Sequence, residues 1–256
     1  MVGRQRNDFV AQTCVHNGAV SAPTVDPPRS ERRRRRRPSV LGVVGLLLLL
    51  GGLGCLGWVA YQYFGTNVVS RHAFEQETSG LRTRWESEPT ATRTGGKDEL
   101  QDLETTAVPG DAIALLRIPN FGAEYEVPIL EGTELSILSR GVGHYPVSAQ
   151  PGQIGNFAIA GHRVTHGQPF SRLLELDKGD QIVVETRSAI YTYVLDTAPR
   201  DLTVTDTASW VLDPVPGQPD ATPTQPLITL TTCQDLFHSP DRSIGFGHLA
   251  STKNKS

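Results

Sequence analysis

Residues 40–64 form a run of 25 residues without a single Asp, Glu, Lys, Arg or His. A helix needs about 20 apolar residues to cross a bilayer, so this run reads as a transmembrane helix, and everything else must fold on one side of it or the other. Six consecutive arginines at positions 32–37 stand just before it. Basic residues are retained on the cytoplasmic face, which predicts a cytoplasmic N-terminus and an exported C-terminal part. A signal peptide also begins basic, but its apolar core is only about 7–15 residues. The longer run here closes on Trp58, Tyr61 and Tyr63 and predicts an uncleaved, single-pass anchor in the cell membrane.

The net charge of -3 hides an asymmetry about that run. Residues 1–38 hold nine Arg against three acidic residues, whereas residues 65–256 hold fifteen Lys and Arg against twenty-four Asp and Glu. Next to a membrane span, the basic block pairs with anionic lipid headgroups. The acidic exported part argues against nucleic-acid binding.

Four segments follow. Residues 1–38, with Pro23, Pro27, Pro28 and no apolar periodicity, are expected to be a disordered cytoplasmic tail. Residues 39–64 are the membrane helix. Residues 65–106 begin as a juxtamembrane helix, marked by Val68, Val69, Phe74, Leu81 and Trp85, and continue as a stalk containing Pro89 and Thr94-Gly-Gly96. Residues 107–256 remain for one exported domain.

Short strand signals dominate that domain, at 112–118, 124–130, 157–160, 180–186, 189–196 and 227–231, with short helices expected at 135–139 and 171–176. Strands of this length separated by turn residues indicate a mainly β domain, barrel or sandwich. Residues 185–188 look like a hairpin turn. Residues 213–226 carry five prolines and read as a long loop of the kind that is functional or disordered in compact domains.

The chemistry concentrates at three positions. The cysteines Cys14, Cys55 and Cys233 fall in three environments, leaving no pair for a disulfide. Cys233 ends the strand-like run Pro226-Leu-Ile-Thr-Leu-Thr-Thr232, and Arg242 follows nine residues later. His162 follows the apolar Asn156-Phe-Ala-Ile-Ala160 and a glycine. Acyl transfer needs a nucleophile, a proton shuttle and a stabiliser for the oxyanion, and Cys233, His162 and Arg242 supply those types. Plainer roles compete: a small buried thiol, a histidine capping a strand, an arginine paired with Asp241 or Asp235. His144, His166 and His238 read as loop histidines. No His and Cys grouping has zinc-ligand spacing, and Glu124, Glu126, Glu131, Glu134, Asp177 and Asp180 are scattered as a solvated acidic surface. No metal or cofactor is expected.

Thr229-Leu-Thr-Thr-Cys233, Gly161-His-Arg-Val-Thr-His-Gly167 and Arg242 together resemble the sortase family of cysteine transpeptidases. Gly143-His-Tyr-Pro146, Gly155-Asn-Phe157, Pro169-Phe170 and Gly179-Asp180 fall in the order of its class E, the actinobacterial housekeeping type. The resemblance covers roughly residues 107–250. It implies an eight-stranded sortase-type β-barrel with short helices behind one N-terminal transmembrane helix. It also implies cleavage of a C-terminal Leu-Ala/Pro-x-Thr-Gly sorting signal between Thr and Gly through a Cys233 thioester. His162 would be the acid and base, and Arg242 would hold the oxyanion and substrate carbonyl. Tyr145 and Thr232 would line the substrate groove. The implied partners are secreted proteins bearing the signal and a lipid-linked peptidoglycan precursor. Ser243-Ile-Gly-Phe-Gly-His-Leu249 departs from the family, being richer in glycine than its usual last strand. A pilin-polymerising sortase is the alternative, though such enzymes carry an N-terminal lid and often a second span. A non-catalytic peptide-binding barrel is the other, and it would not require all three side chains.

Overall fold

A computed structural model describes residues 39–87, 108–233 and 240–255. The expected tail over 1–38, the expected stalk over 88–106 and His238 lie outside the described residues. The chain divides into two compact units, Met1–Leu47 and Leu48–Ser256. The first contributes the opening turns of helix α1 (Val40–Ala60). Ser39 caps that helix by accepting the Gly42 N–H on its side-chain oxygen at 3.0 Å, satisfying one of the donors a helix start leaves open. No residue of α1 is buried against protein, and among the described residues it opens the one helical stretch long and apolar enough to cross a membrane.

The second unit holds the rest. A π-helical turn, Tyr61–Gly65, leads into helix α2 (Thr66–Ser87). The wider π turn disturbs the regular hydrogen-bond ladder, and side chains meet two of its carbonyls: Thr66 Oγ1 donates to Gln62 O and Asn67 Nδ2 to Tyr63 O, each at 2.6 Å. Helix α2 is amphipathic in the sense that matters for packing. Ser70, Phe74 and Leu81 are buried. Phe74 enters the main core, while Leu81 and Trp85 pack with Ala112, Leu115, Leu130 and Ile137.

Among the described residues nine strands form one sheet: β1 (Ala112–Arg117), β2 (Val127–Glu131), β3 (Val142–His144), β4 (Gly155–Ala160), β5 (Gln181–Glu185), β6 (Ala189–Thr197), β7 (Thr203–Thr205), β8 (Pro226–Cys233) and β9 (Asp241–Asn254). Their order is β6-β5-β1-β2-β3-β4-β8-β9-β7, and β9 also pairs with β6. That pairing closes eight strands into a barrel and removes the open edges a sheet would otherwise expose, with β7 flanking the start of β9. The β2–β3 and β4–β8 pairs are parallel. Between β2 and β3 lies a one-turn helix, α3 (Leu135–Leu138). The interior is filled by apolar residues from alternate positions, among them Ile129, Phe157, Ile159, Ile182, Ile228 and Leu230.

Strands β3 and β7, three residues each, are too short to show a period in the sequence. The glycine-rich last strand is explained by its neighbours. Strand β9 pairs with β8, β7 and β6 in turn. A Cβ at Gly247 would lie 2.5 Å from the Val194 carbonyl oxygen and 3.1 Å from Ile228 Cγ2, and one at Gly245 would lie 2.8 Å from Pro199 Cγ. Backbone cannot retreat from such a contact cheaply. Gly247→Ala is therefore expected to lower unfolding free energy by ~1–3 kcal/mol, as other overpacked sites do, in a denaturant titration of the full chain.

Charges fasten α2 and the C-terminal strand to the barrel wall. Arg82 meets Glu126 at 2.7 Å, Glu126 also accepts from Arg117 Nε at 2.8 Å, and Arg117 pairs with Glu185. Lys255 completes the chain, 2.8 Å from Glu185 and 4.3 Å above the Trp85 ring. Burial works against the Glu185 carboxylate, but the Lys255 ammonium and Arg117 guanidinium outweigh it and hold the pKa below the usual carboxylate value.

Candidate active site

Strand alternation decides which face carries the chemistry. In β4 and β8, Phe157, Ile159, Ile228 and Leu230 point into the core, so Asn156, Ala158, Ala160, Thr229, Thr231 and Cys233 face outward. The parallel register pairs Ala158 with Thr229 and Ala160 with Thr231. His162 follows two residues after the last of these pairs, just beyond the end of β4. On the other side of β8, antiparallel pairing places Arg242 directly opposite Cys233, where neighbouring Cβ atoms are about 4.5–5.5 Å apart. Cys233 and Arg242 thus face each other across two adjoining strands, and His162 follows the strand on the other side of β8. The Cys233 thiol is half-buried and not in a disulfide.

Arg242 is also flanked by β7, where it pairs with Val204. Its Nη1 donates to the Asp241 carbonyl at 3.0 Å, and its Nη2 lies 3.8 Å from the Asp206 carboxylate, just beyond β7. Asp206 is thus an acidic neighbour of Arg242. Asp235 lies outside the described residues.

Thr232 is buried on the opposite face from Cys233. Its hydroxyl donates to the Gly161 carbonyl at 2.8 Å, and the Gly161 N–H donates to Thr231 O at 3.1 Å. These two bonds set the backbone just before His162. Gly161 has no room for a side chain, since a Cβ would lie 2.7 Å from the Phe170 ring. The His162 carbonyl accepts from Phe170 N–H at 3.0 Å, which closes residues 162–170 into a loop whose Pro169 carbonyl accepts from the Tyr125 hydroxyl at 2.7 Å. Burial drives the Tyr125 pKa far up, so the phenol stays a donor. Inside the loop the His166 ring stacks on His162 with centroids 4.7 Å apart. Burial lowers the His166 pKa, favouring a neutral ring.

Tyr145 follows β3, and its N–H donates to Ala158 O at 3.0 Å. Continuing the alternation of β3 sets it on the same outer face, four residues and so roughly 13 Å along the sheet from the level of His162. The fold does not bring it alongside Cys233. His144 is no loop histidine: it ends β3 fully buried, with Nδ1 2.8 Å from Glu131 Oε2 and Nε2 3.1 Å from Ala149 O and 3.0 Å from Ser148 Oγ. Ser148 spends its proton on Tyr145 O, so both Nε2 partners accept. That accounting ties up every polar atom of the ring and assigns it to the core.

Asn156 carries no obvious signal in the sequence, yet it anchors the proline-rich loop. Its Nδ2 donates to Val211 O at 3.0 Å and Asp213 O at 3.1 Å, and its Oδ1 accepts from Thr229 Oγ1 at 2.7 Å. Buried polar groups need partners, and here they fix the loop after β7 over the outer face of β4 and β8. Among the described residues, no group of three His, Cys, Asp or Glu side chains is placed to hold a metal ion.

A closed eight-stranded barrel with this cysteine, histidine and arginine at one rim has a family match: a model of the Sortase domain fits residues 116–250, and the chain belongs to the sortase family, whose members are cysteine transpeptidases. Within that family it is class E-like. It is 36% identical over 242 residues to Sortase SrtE1 of Streptomyces coelicolor, an alignment covering 91% of this chain and 64% of that protein. The chain thus spans just under two thirds of SrtE1. It is 31% identical over 224 residues to Sortase SrtE2 of the same organism, covering 83% of each. The sortase E structure from Streptomyces avermitilis, at 39% identity, superposes with a TM-score of 0.52 over 57% of this chain and 93% of that chain.

Proposed function

We propose that this chain is a membrane-anchored sortase that cleaves a C-terminal Leu-Ala/Pro-x-Thr-Gly signal between Thr and Gly and transfers the acyl group to the amine of a lipid-linked cell-wall precursor. The observation that carries the proposal is the pairing of Cys233 with Arg242 across β8 and β9, with His162 two residues beyond the end of β4, the parallel neighbour of β8. The Cys233 sulfur attacks the threonine carbonyl carbon, and the carbonyl electrons move onto oxygen, where the Arg242 fork donates hydrogen bonds. As the tetrahedral intermediate collapses, the C–N bond breaks and His162 protonates the departing glycine amine. A thioester remains on Cys233. The acceptor amine attacks it, His162 takes the amine's proton, and the sulfur leaves. Thr232 serves this sequence by fixing the Gly161 carbonyl and so the placement of His162. Tyr145 meets the signal further along the same face.

The precursor amine sits at a bilayer surface, so the barrel must be exported and held there. In intact cells a membrane-impermeant thiol reagent is expected to label Ser251→Cys, an exposed position on β9, and to label Cys14 only after permeabilisation. Labelling of Cys14 from outside, with Ser251→Cys silent, would reverse the topology and remove access to the acceptor.

A further inference from the structure

The loop that begins at His162 is held at its far end by helix α2, which takes no part in the chemistry above. At the loop apex His166, Gly167 and Gln168 all have positive φ, at 54°, 80° and 55°. Two of the three are not glycine, and L-residues adopt this region only when their surroundings compensate the strain. Helix α2 provides those surroundings. The Gly167 N–H donates to Asn67 Oδ1 at 2.8 Å. Gly167 rests so closely on the helix that a Cβ would lie 2.6 Å from Phe74 Cζ and 3.3 Å from Ser70 Cβ. Phe74 and Ser70 are both buried there.

Asn67 is fixed from both ends. Its Nδ2 donates to Tyr63 O within the π turn at 2.6 Å, and its Oδ1 accepts from Gly167, so the two partners determine the amide orientation without ambiguity. One side chain therefore joins the turn bordering the apolar span to the loop bearing the proposed acid and base, with the His162–His166 stack between them. We infer that Asn67 is a positioning residue for His162, holding the strained 166–168 apex so that His166 packs against the shuttle imidazole and keeps it in place. The inference rests on the role of His162 given under the proposed function.

The test uses the full chain in detergent micelles, with kcat and KM for cleavage of a Leu-Ala-x-Thr-Gly peptide followed across pH. Asn67→Leu removes the acceptor while keeping size. It is expected to lower kcat about tenfold, within the range small misplacements produce, with KM within about twofold and the His162 limb of the pH profile displaced. Asn67→Asp, which keeps an oxygen for Gly167, is expected to restore most of kcat. Unchanged kcat and pH profile in Asn67→Leu, beside an inactive His162→Ala, overturns the positioning role and leaves the site intact. A loss in Asn67→Leu that Asn67→Asp does not restore, or that follows a matching fall in melting temperature, assigns Asn67 to stability alone and also overturns it. Full activity in His162→Ala removes the shuttle itself, and the inference falls with it.

Discussion

Cys233→Ala is expected to abolish cleavage of a Leu-Ala-x-Thr-Gly peptide by the full-length chain, by at least about 10⁴-fold, the scale on which loss of a covalent nucleophile is felt. Alanine cannot form the thioester, and the other cysteine among the described residues, Cys55, lies within the apolar helix α1. His162→Ala should lose about 10²–10⁴-fold, as a group acting only in proton transfer does. Mass spectrometry of the wild-type chain mixed with peptide should find the acyl fragment on Cys233 and nowhere else. Undiminished cleavage by Cys233→Ala would sink the covalent mechanism. The fold should survive the substitution, because the thiol is only half-buried at the end of β8, and a melting curve matching wild type checks that.

Arg242→Lys is expected to fail nearly as badly as Arg242→Ala, each losing about 10²–10³-fold in kcat, the range for removing an oxyanion donor. Lysine keeps the positive charge but is a point ammonium, whereas arginine offers a planar fork able to reach a carbonyl and a developing oxyanion together. The position favours this role: Arg242 stands opposite Cys233 across one ladder and opposite Val204 across the other. The competing assignment is a plain ion pair with Asp206 at 3.8 Å. A partly exposed pair of that kind contributes little, about 0–1 kcal/mol, and lysine would preserve it. Wild-type kcat in Arg242→Lys, with matched melting, would assign Arg242 to that pair. Kinetics across pH separate the two roles further, since arginine stays protonated throughout and its replacement should lower the whole profile without moving its limbs.

Much of this molecule is legible in the chain itself. The absence of charge over residues 40–64 sufficed for a helix able to span a membrane, because length and polarity are the only quantities a bilayer tests. Long apolar runs announced β1, β4, β5, β6 and β8 within a few residues, since strands buried on one or both faces leave a composition signal. Cys233, His162 and Arg242 stood out because each sits at or just beyond a strand end and because their order and spacing match a known family.

What only the tertiary structure decided depends on contacts between residues distant in sequence. Strands β3 and β7 are too short to carry a period, and β7 exists because β9 is long enough to pair with it. The glycines of β9, a departure from the family pattern in the sequence, are explained by Val194, Ile228 and Pro199 packed against them. His144 became a core residue only once Glu131 lay opposite it on the neighbouring strand. Thr232, adjacent in sequence to the thiol, turns to the other face because side chains alternate along a strand. Helix α2, readable as an amphipathic segment, had no partner in the sequence. Its apolar stripe and Asn67 gain their meaning from the loop after His162, a hundred residues away. Local propensity and charge act through near neighbours and can be read along the chain, whereas register, facing and docking follow from closing the barrel.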